Sequence, residues 1–342
     1  MADGPLTPTA DTPSLTRTAT MAPVDLRPLT TSELIDRGFS LYRAHFAGFL
    51  LLALLCQSAP LLGQIVATAL NLNPAANDMV DHARVFFTKL VMILAITLVA
   101  QVIVFCFEVV ITFYIADAYL GKIPSVKESL RKLTPRILSS IWTCVLNRVL
   151  IVLTLIFPIA AILAAYFYAL YHPPLTLFPM LLFAGATLVL FVASLTPVLI
   201  VFMRLMLTIP ALGLEDLPGW KAIKRSSALV RYDPGLGFFY WGEMRLSFLL
   251  LPLFIIELLI LSLTSLPLTV HQIGEIMRHG CGGQIAPPPD SVLILSQILT
   301  FMAGSLILPL YSIATTLFYY DIRIRREGFD LEFISGRLGD QK

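Results

Sequence analysis

Six long apolar stretches constrain this chain more than any other feature. They run over Phe46–Leu70, Lys89–Tyr119, Ile137–Tyr171, Leu175–Leu212, Leu236–Leu268 and Ser291–Tyr320. A helix needs about 20 apolar residues to cross the hydrocarbon core of a bilayer, so each stretch predicts one spanning helix. Buried strands would show turn signals far more often than these stretches do. The sequence therefore predicts an all-α integral membrane protein with six transmembrane helices.

The composition agrees with a membrane protein and excludes some other classes. Of the 342 residues, 57% are hydrophobic and 13% are charged, whereas about a quarter of a soluble domain is charged. A net charge of +2 gives no basic field for nucleic acid. Residues 1–29 are rich in Thr, Pro, Ala and Asp. They predict a disordered tail and lack the basic and apolar regions of a signal peptide.

The distribution of Lys and Arg predicts the orientation of the helices. Eighteen of these residues flank one set of helix ends, and only Arg84, Lys89 and Arg278 flank the other. Basic residues are retained on the cytoplasmic side of a membrane. We therefore expect both termini in the cytoplasm, and an even number of spans agrees with that.

Three basic segments recur at nearly equal spacing. They begin near Glu33, Val126 and Trp220, which are 93 and 94 residues apart. Each has an apolar face at helical period, and each is followed by two spans. The pattern predicts three parallel helix-plus-hairpin repeats, at about 30–122, 123–216 and 217–322, with cytoplasmic amphipathic helices and a charged cytoplasmic tail at 323–342.

Local signals mark the starts of these amphipathic helices. Thr30 with Glu33, and Ser125 with Glu128, have the spacing of a capping box. Asp216 followed by Pro218 predicts the third start. Prolines lie inside five of the spans, where each predicts either a packing kink or a hinge; they are Pro60, Pro158, Pro197, Pro252 and Pro309.

The cations of the amphipathic segments are candidate contacts for anionic lipid headgroups. These residues are Arg37, Arg43, Lys127, Arg131, Lys132, Lys221, Lys224 and Arg225. Simple anchoring at the interface is one interpretation. Specific lipid binding, or docking of a cytosolic or membrane protein, is the other.

Ionisable residues within the spans are candidate functional groups because they are costly in lipid. The candidate intramembrane site comprises Gln101, Glu108, Asn147, Arg148 and Glu257. Arg148 lies deep enough to need a partner, so it is expected to pair with Glu108 or Glu257, or to bind a lipid phosphate. The pair would hold the bundle together or form part of a lipid or substrate site. Arg204, Glu243 and Arg245 are close enough to the interface to snorkel.

Three stretches carry a resemblance to a known family. They are TTSELIDRGFSLYRAHF (Thr30–Phe46), the polar turn and basic helix of Ala211–Gly242, and the YYD-x-R-x-R-x-EG-x-D ending within Thr315–Glu332. Together they resemble the bacterial membrane-domain family named after glycerophosphoryl diester phosphodiesterase, and the YciC-like six-helix membrane proteins. In that family the chemistry belongs to a separate barrel with a His-Arg pair, which this chain lacks. The resemblance implies a membrane module and not a hydrolase.

Two functions remain open at this stage. The first is a non-enzymatic membrane module that organises lipid or a partner in the bacterial envelope, in the inner membrane. The second is a transporter or channel with a site on the pseudo-threefold axis. No catalytic constellation, cofactor motif or metal site is expected. His271, His279 and Cys281 lie close in sequence but lack a fourth ligand.

The orientation can be tested with alkaline phosphatase fusions, which are active only outside the cytoplasm. A fusion at Lys122 should be inactive and a fusion at Arg84 active, because the basic segments stay inside. Equal expression of both fusions, measured by immunoblot, is the control. Activity at Lys122 would contradict the predicted orientation.

Overall fold

The computed structural model describes residues 27–69, 79–171, 177–231, 235, 241–279 and 288–329. Regular structure in these ranges is helical, with no strand among them, so the predicted all-α fold is confirmed. Eleven α-helices follow one another: α1 Thr31–Ala44, α2 Phe46–Ala69, α3 Met79–Tyr119, α4 Val126–Leu133, α5 Ile137–Tyr171, α6 Leu177–Leu205, α7 Thr208–Glu215, α8 Trp220–Val230, α9 Gly242–Thr264, α10 Leu266–His279 and α11 Asp290–Glu327.

Six spans are long and apolar enough to cross a membrane within this described part of the chain. They correspond to α2, α3, α5, α6, α9 and α11, and the last is a continuous helix of 38 residues. The prediction of a multi-pass membrane protein is therefore confirmed. The short helices α1, α4, α7 and α8 connect or precede these spans.

The fourth predicted span is wrong at its end. The helix stops at Leu205, and Thr208–Glu215 forms the separate helix α7, with Pro210 as its third residue. Proline is tolerated in a first helical turn because no backbone hydrogen bond is lost there. Asp216 then ends α7 in a left-handed conformation with φ 55°, so it does not begin the third basic helix. That helix begins at Trp220, after Gly219 with φ 57°.

Other boundaries also differ from the prediction. Helix α3 begins ten residues before Lys89, and α11 continues to Glu327, into the predicted tail. The fifth span is α9 alone. A separate helix, α10, follows it and carries His271 and His279, which were expected in a loop.

The first amphipathic segment starts as its sequence predicts. The Thr30 side chain accepts from the Glu33 amide, and the Glu33 carboxylate accepts from the Thr30 amide at 2.8 Å. The bond from the Thr30 amide to the carboxylate, with further bonds from the Arg27 guanidinium and the Thr30 hydroxyl, lowers the pKa of Glu33 to about 2. The matching bond at Ser125 is absent, so the second capping box is wrong.

The spanning helices form a ring in chain order. Contacts join α2 to α3, α3 to α5, α5 to α6, α6 to α9 and α9 to α11, and α11 closes the ring against α2. The seam between α6 and α9 is the least extensive of these contacts. Each sequence-adjacent pair of spans therefore forms a hairpin, and the hairpins stand side by side.

The core of the ring lies at one end, where α1, α4, α7, α8 and the last turns of α11 meet; we call this the basic end. Buried side chains concentrate there, from Phe105 to Tyr119 on α3 and from Ile313 to Ile324 on α11. At the opposite, outer end, large apolar side chains of α5 and α6 are exposed, including Val152, Phe157, Leu188 and Val189. The bundle is tightly packed at the basic end and open at the outer end.

The five prolines that were predicted within spans all lie inside spanning helices. Proline removes one backbone donor and loosens the preceding turn. In α11, the Tyr42 hydroxyl donates to the Leu306 carbonyl at 3.1 Å, one turn before Pro309. A side chain from α1 therefore binds the backbone of the loosened turn.

The α2–α3 contact can be tested at Gly48. A Cβ at this position would collide with the Tyr114 ring, which is buried against Phe49. Gly48→Ala should lower the free energy of unfolding by about 1–3 kcal/mol through overpacking, measured by thermal unfolding in detergent.

Gly185→Ala is the matched control. Beyond its own helix turn, no atom of the described residues lies within 4 Å of its Cβ position, and Ala favours a helix by roughly 1 kcal/mol over Gly. Its unfolding temperature should be unchanged or higher. Equal destabilisation by both substitutions would contradict the packing described for Gly48.

Candidate functional site

Three carboxylates organise the basic end. Asp117, near the end of α3, accepts from the Lys132 ammonium at 2.5 Å. Glu215, the last residue of α7, binds the Arg225 guanidinium through two nitrogens, with a shortest contact of 2.8 Å. Asp321, in the last turns of α11, binds Arg245 at 2.8 Å.

Each of these carboxylates joins the end of one hairpin to the start of the next. Asp117 follows the first hairpin and binds α4, and Glu215 follows the second and binds α8. Asp321 follows the third hairpin and accepts from the Leu29 amide at 2.7 Å, just before α1. The threefold repeat remains a prediction. Three repeats around an axis would make the same kind of contact from each unit to the next, and from the third back to the first, as these carboxylates do.

The contact at Asp321 is the most buried of the three. Asp321 is only 2% exposed, and its carboxylate also binds Arg325 at 2.9 Å. Both Arg245 and Arg325 donate to the Leu29 carbonyl as well. Leu29 is itself 3% exposed. The last residue of the predicted disordered tail is therefore fixed, because both polar groups of its backbone bind side chains of α9 and α11.

Glu215 lies in a similar but wider network. Arg225 binds Glu327 as well as Glu215, and these hydrogen bonds raise the pKa of the Arg225 guanidinium. The Tyr319 hydroxyl donates to Glu215, and Arg323 lies 3.5 Å from its carboxylate. Arg225 and Arg323 each contact both Glu215 and Glu327. Charge-assisted contacts of this kind, one of them bidentate, fix the geometry of the network.

A cavity of about 560 Å³ lies between the ends of α3, α7 and α11. Asp117, Lys132, Arg136 and Arg323 supply its charges, and Tyr320 and Phe329 line it. Its cations are already paired: Arg136 binds Asp216 at 3.0 Å, and Arg323 binds Glu327 at 3.2 Å. Each cation that lines this cavity is therefore paired with a carboxylate among the described residues.

The structure divides the eight predicted lipid contacts into two groups. Three are held internally: Lys132 and Arg225 by the carboxylates above, and Arg37 over the Tyr119 ring at 5.3 Å. The other five side chains are exposed and have no ion pair within the described ranges; they are Arg43, Lys127, Arg131, Lys221 and Lys224. Of the eight predicted contacts, these five are therefore the ones available to a headgroup or a partner in the described part of the chain.

The predicted intramembrane residues form two separate clusters. In the first, on α3 and α5, the Arg148 guanidinium donates to the Gln101 side chain at 2.6 Å. Glu108 is half-buried nearby and attracts Arg148 electrostatically, but in the described structure no carboxylate lies within ion-pair distance of Arg148. The Asn147 carbonyl oxygen and the Arg148 Nε atom are buried without a hydrogen-bond partner among the described residues.

Glu257 belongs to the second cluster, on α9 and α11. It accepts from the Tyr311 hydroxyl at 2.8 Å, beside a pocket of about 140 Å³ that Gln57 also lines. The alternative in which Arg148 pairs with Glu257 is therefore wrong, since the two residues lie on different hairpins with different neighbours. A charged group at this depth costs about 2.5–3.5 kcal/mol on insertion scales.

The three residues expected to snorkel are paired inside the bundle. Arg204 binds Glu243 at 2.9 Å, and Arg245 binds Asp321. Snorkelling is therefore the wrong explanation for them, because their partners lie on neighbouring helices at the basic end.

The sequence did not predict Asp117, Glu215 or Asp321 as site residues. A signal existed, since each is an acidic residue that ends an apolar stretch at the basic end. His271 lies on α10, whereas Cys281 lies outside the described residues. No three His, Cys, Asp or Glu side chains cluster in metal-binding geometry in the part of the chain that is described.

No family model, curated protein or solved structure matches this chain. The resemblance drawn from Thr30–Phe46, Ala211–Gly242 and Thr315–Glu332 thus remains a prediction.

The role of Asp321 predicts a large effect on stability. Asp321→Asn should lower the free energy of unfolding by about 3–5 kcal/mol, because it leaves Arg245, whose side chain is only 12% exposed, without its carboxylate. Thermal unfolding of the purified protein measures this effect.

Asp216→Asn is the control for this prediction. Its side chain is 68% exposed while bound to Arg136, and an exposed pair contributes about 0–1 kcal/mol. Asn also tolerates the left-handed conformation found here. If Asp321→Asn is as stable as Asp216→Asn, the basic end does not depend on Asp321.

Proposed function

We propose that this protein is a non-enzymatic membrane module that gathers anionic lipid around its basic end. The observation that carries the proposal is the separation of its cations into paired and unpaired groups. Arg43, Lys127, Arg131, Lys221 and Lys224 are exposed and form no ion pair within the described ranges. We call these five residues the basic rim, and their charge is available to phosphate-containing headgroups.

The placement of the basic rim supports this function. Its residues lie on α1, α4 and α8, the three helices that adjoin the carboxylate contacts. Basic residues close to an anionic membrane surface contribute roughly 1 kcal/mol each. Five such residues around one bundle favour a locally enriched shell of anionic lipid.

The outer end supports the same proposal from the apolar side. Exposed side chains of α5 and α6 present a continuous apolar surface, with Leu153, Ile156, Leu190 and Val192 among them. In a bilayer such a surface is covered by acyl chains. Lipid headgroups would therefore contact the basic rim, and lipid acyl chains would cover the exposed apolar surface of α5 and α6.

Orientation in the inner membrane, with both termini in the cytoplasm, is part of the proposal. It is supported by the eighteen to three distribution of Lys and Arg under the positive-inside rule. In that orientation the basic rim faces the cytoplasmic leaflet, which is the leaflet that basic segments recognise.

A transporter or channel has less support. Such a function favours polar residues around one shared cavity, whereas Arg148 and Glu257 lie in separate clusters. Neither of the two cavities above is lined by Gln101, Glu108 or Arg148.

Lipid binding is tested by quantifying lipid that stays with the purified protein. The protein is equilibrated in neutral maltoside micelles containing equal phosphatidylglycerol and phosphatidylcholine, and the retained ratio is measured by mass spectrometry. The variant K127Q/R131Q/K221Q/K224Q should lose at least about fivefold of its phosphatidylglycerol enrichment, since one basic residue contributes about 1 kcal/mol.

The charge-retaining variant K127R/R131K/K221R/K224R is the matched control and should keep the enrichment. Thermal unfolding of both variants should resemble that of the original protein, because all four side chains are exposed. Equal enrichment in the Gln and the charge-retaining variants would contradict the proposal and favour simple anchoring.

A further inference from the structure

The pocket beside Glu257 has a feature that lipid gathering does not use. The Glu257 side chain is exposed and lines this pocket, and the Tyr311 hydroxyl is the one hydrogen-bond partner of its carboxylate within the described residues. No Lys, Arg or His of the described chain lies within ion-pair distance of it. Glu257 therefore has no cationic partner in this part of the protein.

The lack of a cationic partner matters because Glu257 lies deep in its spanning helix. It lies fifteen residues after Gly242, the first residue of α9, which places it about 22 Å along the helix axis. The hydrocarbon core is about 30 Å thick, so Glu257 lies within the apolar region. Ionisable residues at such depth generally face a partner or a binding site.

The surrounding side chains define what the pocket can hold. Its volume is about 140 Å³, and Ile260, Leu261, Ile307 and Leu308 give it apolar walls. Gln57 and Thr300 add neutral polar groups, and Tyr311 adds an aromatic ring. The floor is narrow at Gly304, where an added Cβ would lie 2.7 Å from the Gln57 amide nitrogen. A small group with a positive charge and an apolar surface matches this lining.

We infer that the Glu257 pocket binds the head of a lipophilic ammonium compound that enters from the bilayer. The Glu257 carboxylate supplies the opposing charge, and the Tyr311 hydroxyl holds that carboxylate in position at 2.8 Å. Aromatic rings attract quaternary ammonium groups. Tyr311 therefore contributes both its hydroxyl, which binds Glu257, and its ring, which attracts the ammonium head. The walls formed by α9 and α11 hold the carbon atoms attached to nitrogen.

The Glu257 pocket is separate from the surface that the proposed lipid function uses. The pocket is formed by α2, α9 and α11 within the membrane, whereas the basic rim lies on α1, α4 and α8. Loss of one activity should leave the other intact. The K127Q/R131Q/K221Q/K224Q variant should bind the ammonium probe normally.

The test compares two probes of the same shape. Octyltrimethylammonium carries the charge, and its neutral analogue replaces the nitrogen by carbon, so that the chain ends in a tert-butyl group. Binding to the full chain in neutral maltoside micelles is measured by equilibrium dialysis. The charged probe should bind at least tenfold more tightly than the neutral one.

Substitutions then locate the site. Glu257→Gln should abolish this preference for charge, and Tyr311→Phe should weaken it. Glu108→Gln is the matched control, because it removes another carboxyl from a spanning helix but lies outside the pocket. Ala303→Phe should block both probes by filling the pocket while Glu257 remains.

Several outcomes would overturn the inference. Equal binding of the two probes, or an unchanged preference in Glu257→Gln, would exclude charge recognition at this residue. Competition by millimolar sodium with the same Glu257 dependence would show an inorganic cation site instead. Unfolding temperatures of Glu257→Gln and Ala303→Phe within a few degrees of the original establish that loss of binding is local.

Discussion

The carboxylate of Asp321 holds together parts of the chain that lie 292 residues apart. It binds two guanidinium groups and a backbone amide in a nearly dry environment, where electrostatic attraction is strong and an unpaired charge is costly. Because Arg245 belongs to α9 and Leu29 precedes α1, this one group closes the ring of hairpins. Asp117 and Glu215 make the corresponding contacts from the first hairpin to α4 and from the second hairpin to α8.

This distribution of forces explains the shape of the bundle. Charged and polar contacts concentrate at the basic end, where Glu215 and Asp321 fix the helix ends. The outer halves of α5 and α6 have mainly apolar surface, and lipid tails are as apolar as these side chains, so the bilayer gives them little reason to pack. Packing at one end and lipid exposure at the other follow from the same physical difference.

The sequence predicted the spanning helices well because the bilayer imposes a length on each helix independently of its neighbours. The capping box at Thr30 was predictable for a similar reason, since its bonds are local. The break between α6 and α7 was not, because Pro210 is compatible with a span that continues and with a new helix that starts. Asp216 likewise suits either a helix start or a left-handed helix end.

The candidate sites were less predictable because they depend on which helices face each other. Arg148 was expected to find a carboxylate, but α5 packs against α3 so that Gln101 is its partner. Glu257 lies on α9, beside Tyr311 of α11, and nothing local in either segment indicates that pairing. Among the eight predicted lipid-headgroup contacts, the sequence could not distinguish the five exposed residues from the three that are held by internal partners.

The contact between Leu29 and Asp321 also sets an order of events during synthesis. The Leu29 amide emerges from the ribosome 292 residues before Asp321, whose carboxylate it binds. At about 5–20 residues per second, that delay is on the order of 15–60 s. Throughout that interval α1 lacks its final neighbour, and the first hairpin must remain in the membrane with its basic end unclosed. Assembly of the basic end is therefore a late step that follows insertion of the last helix.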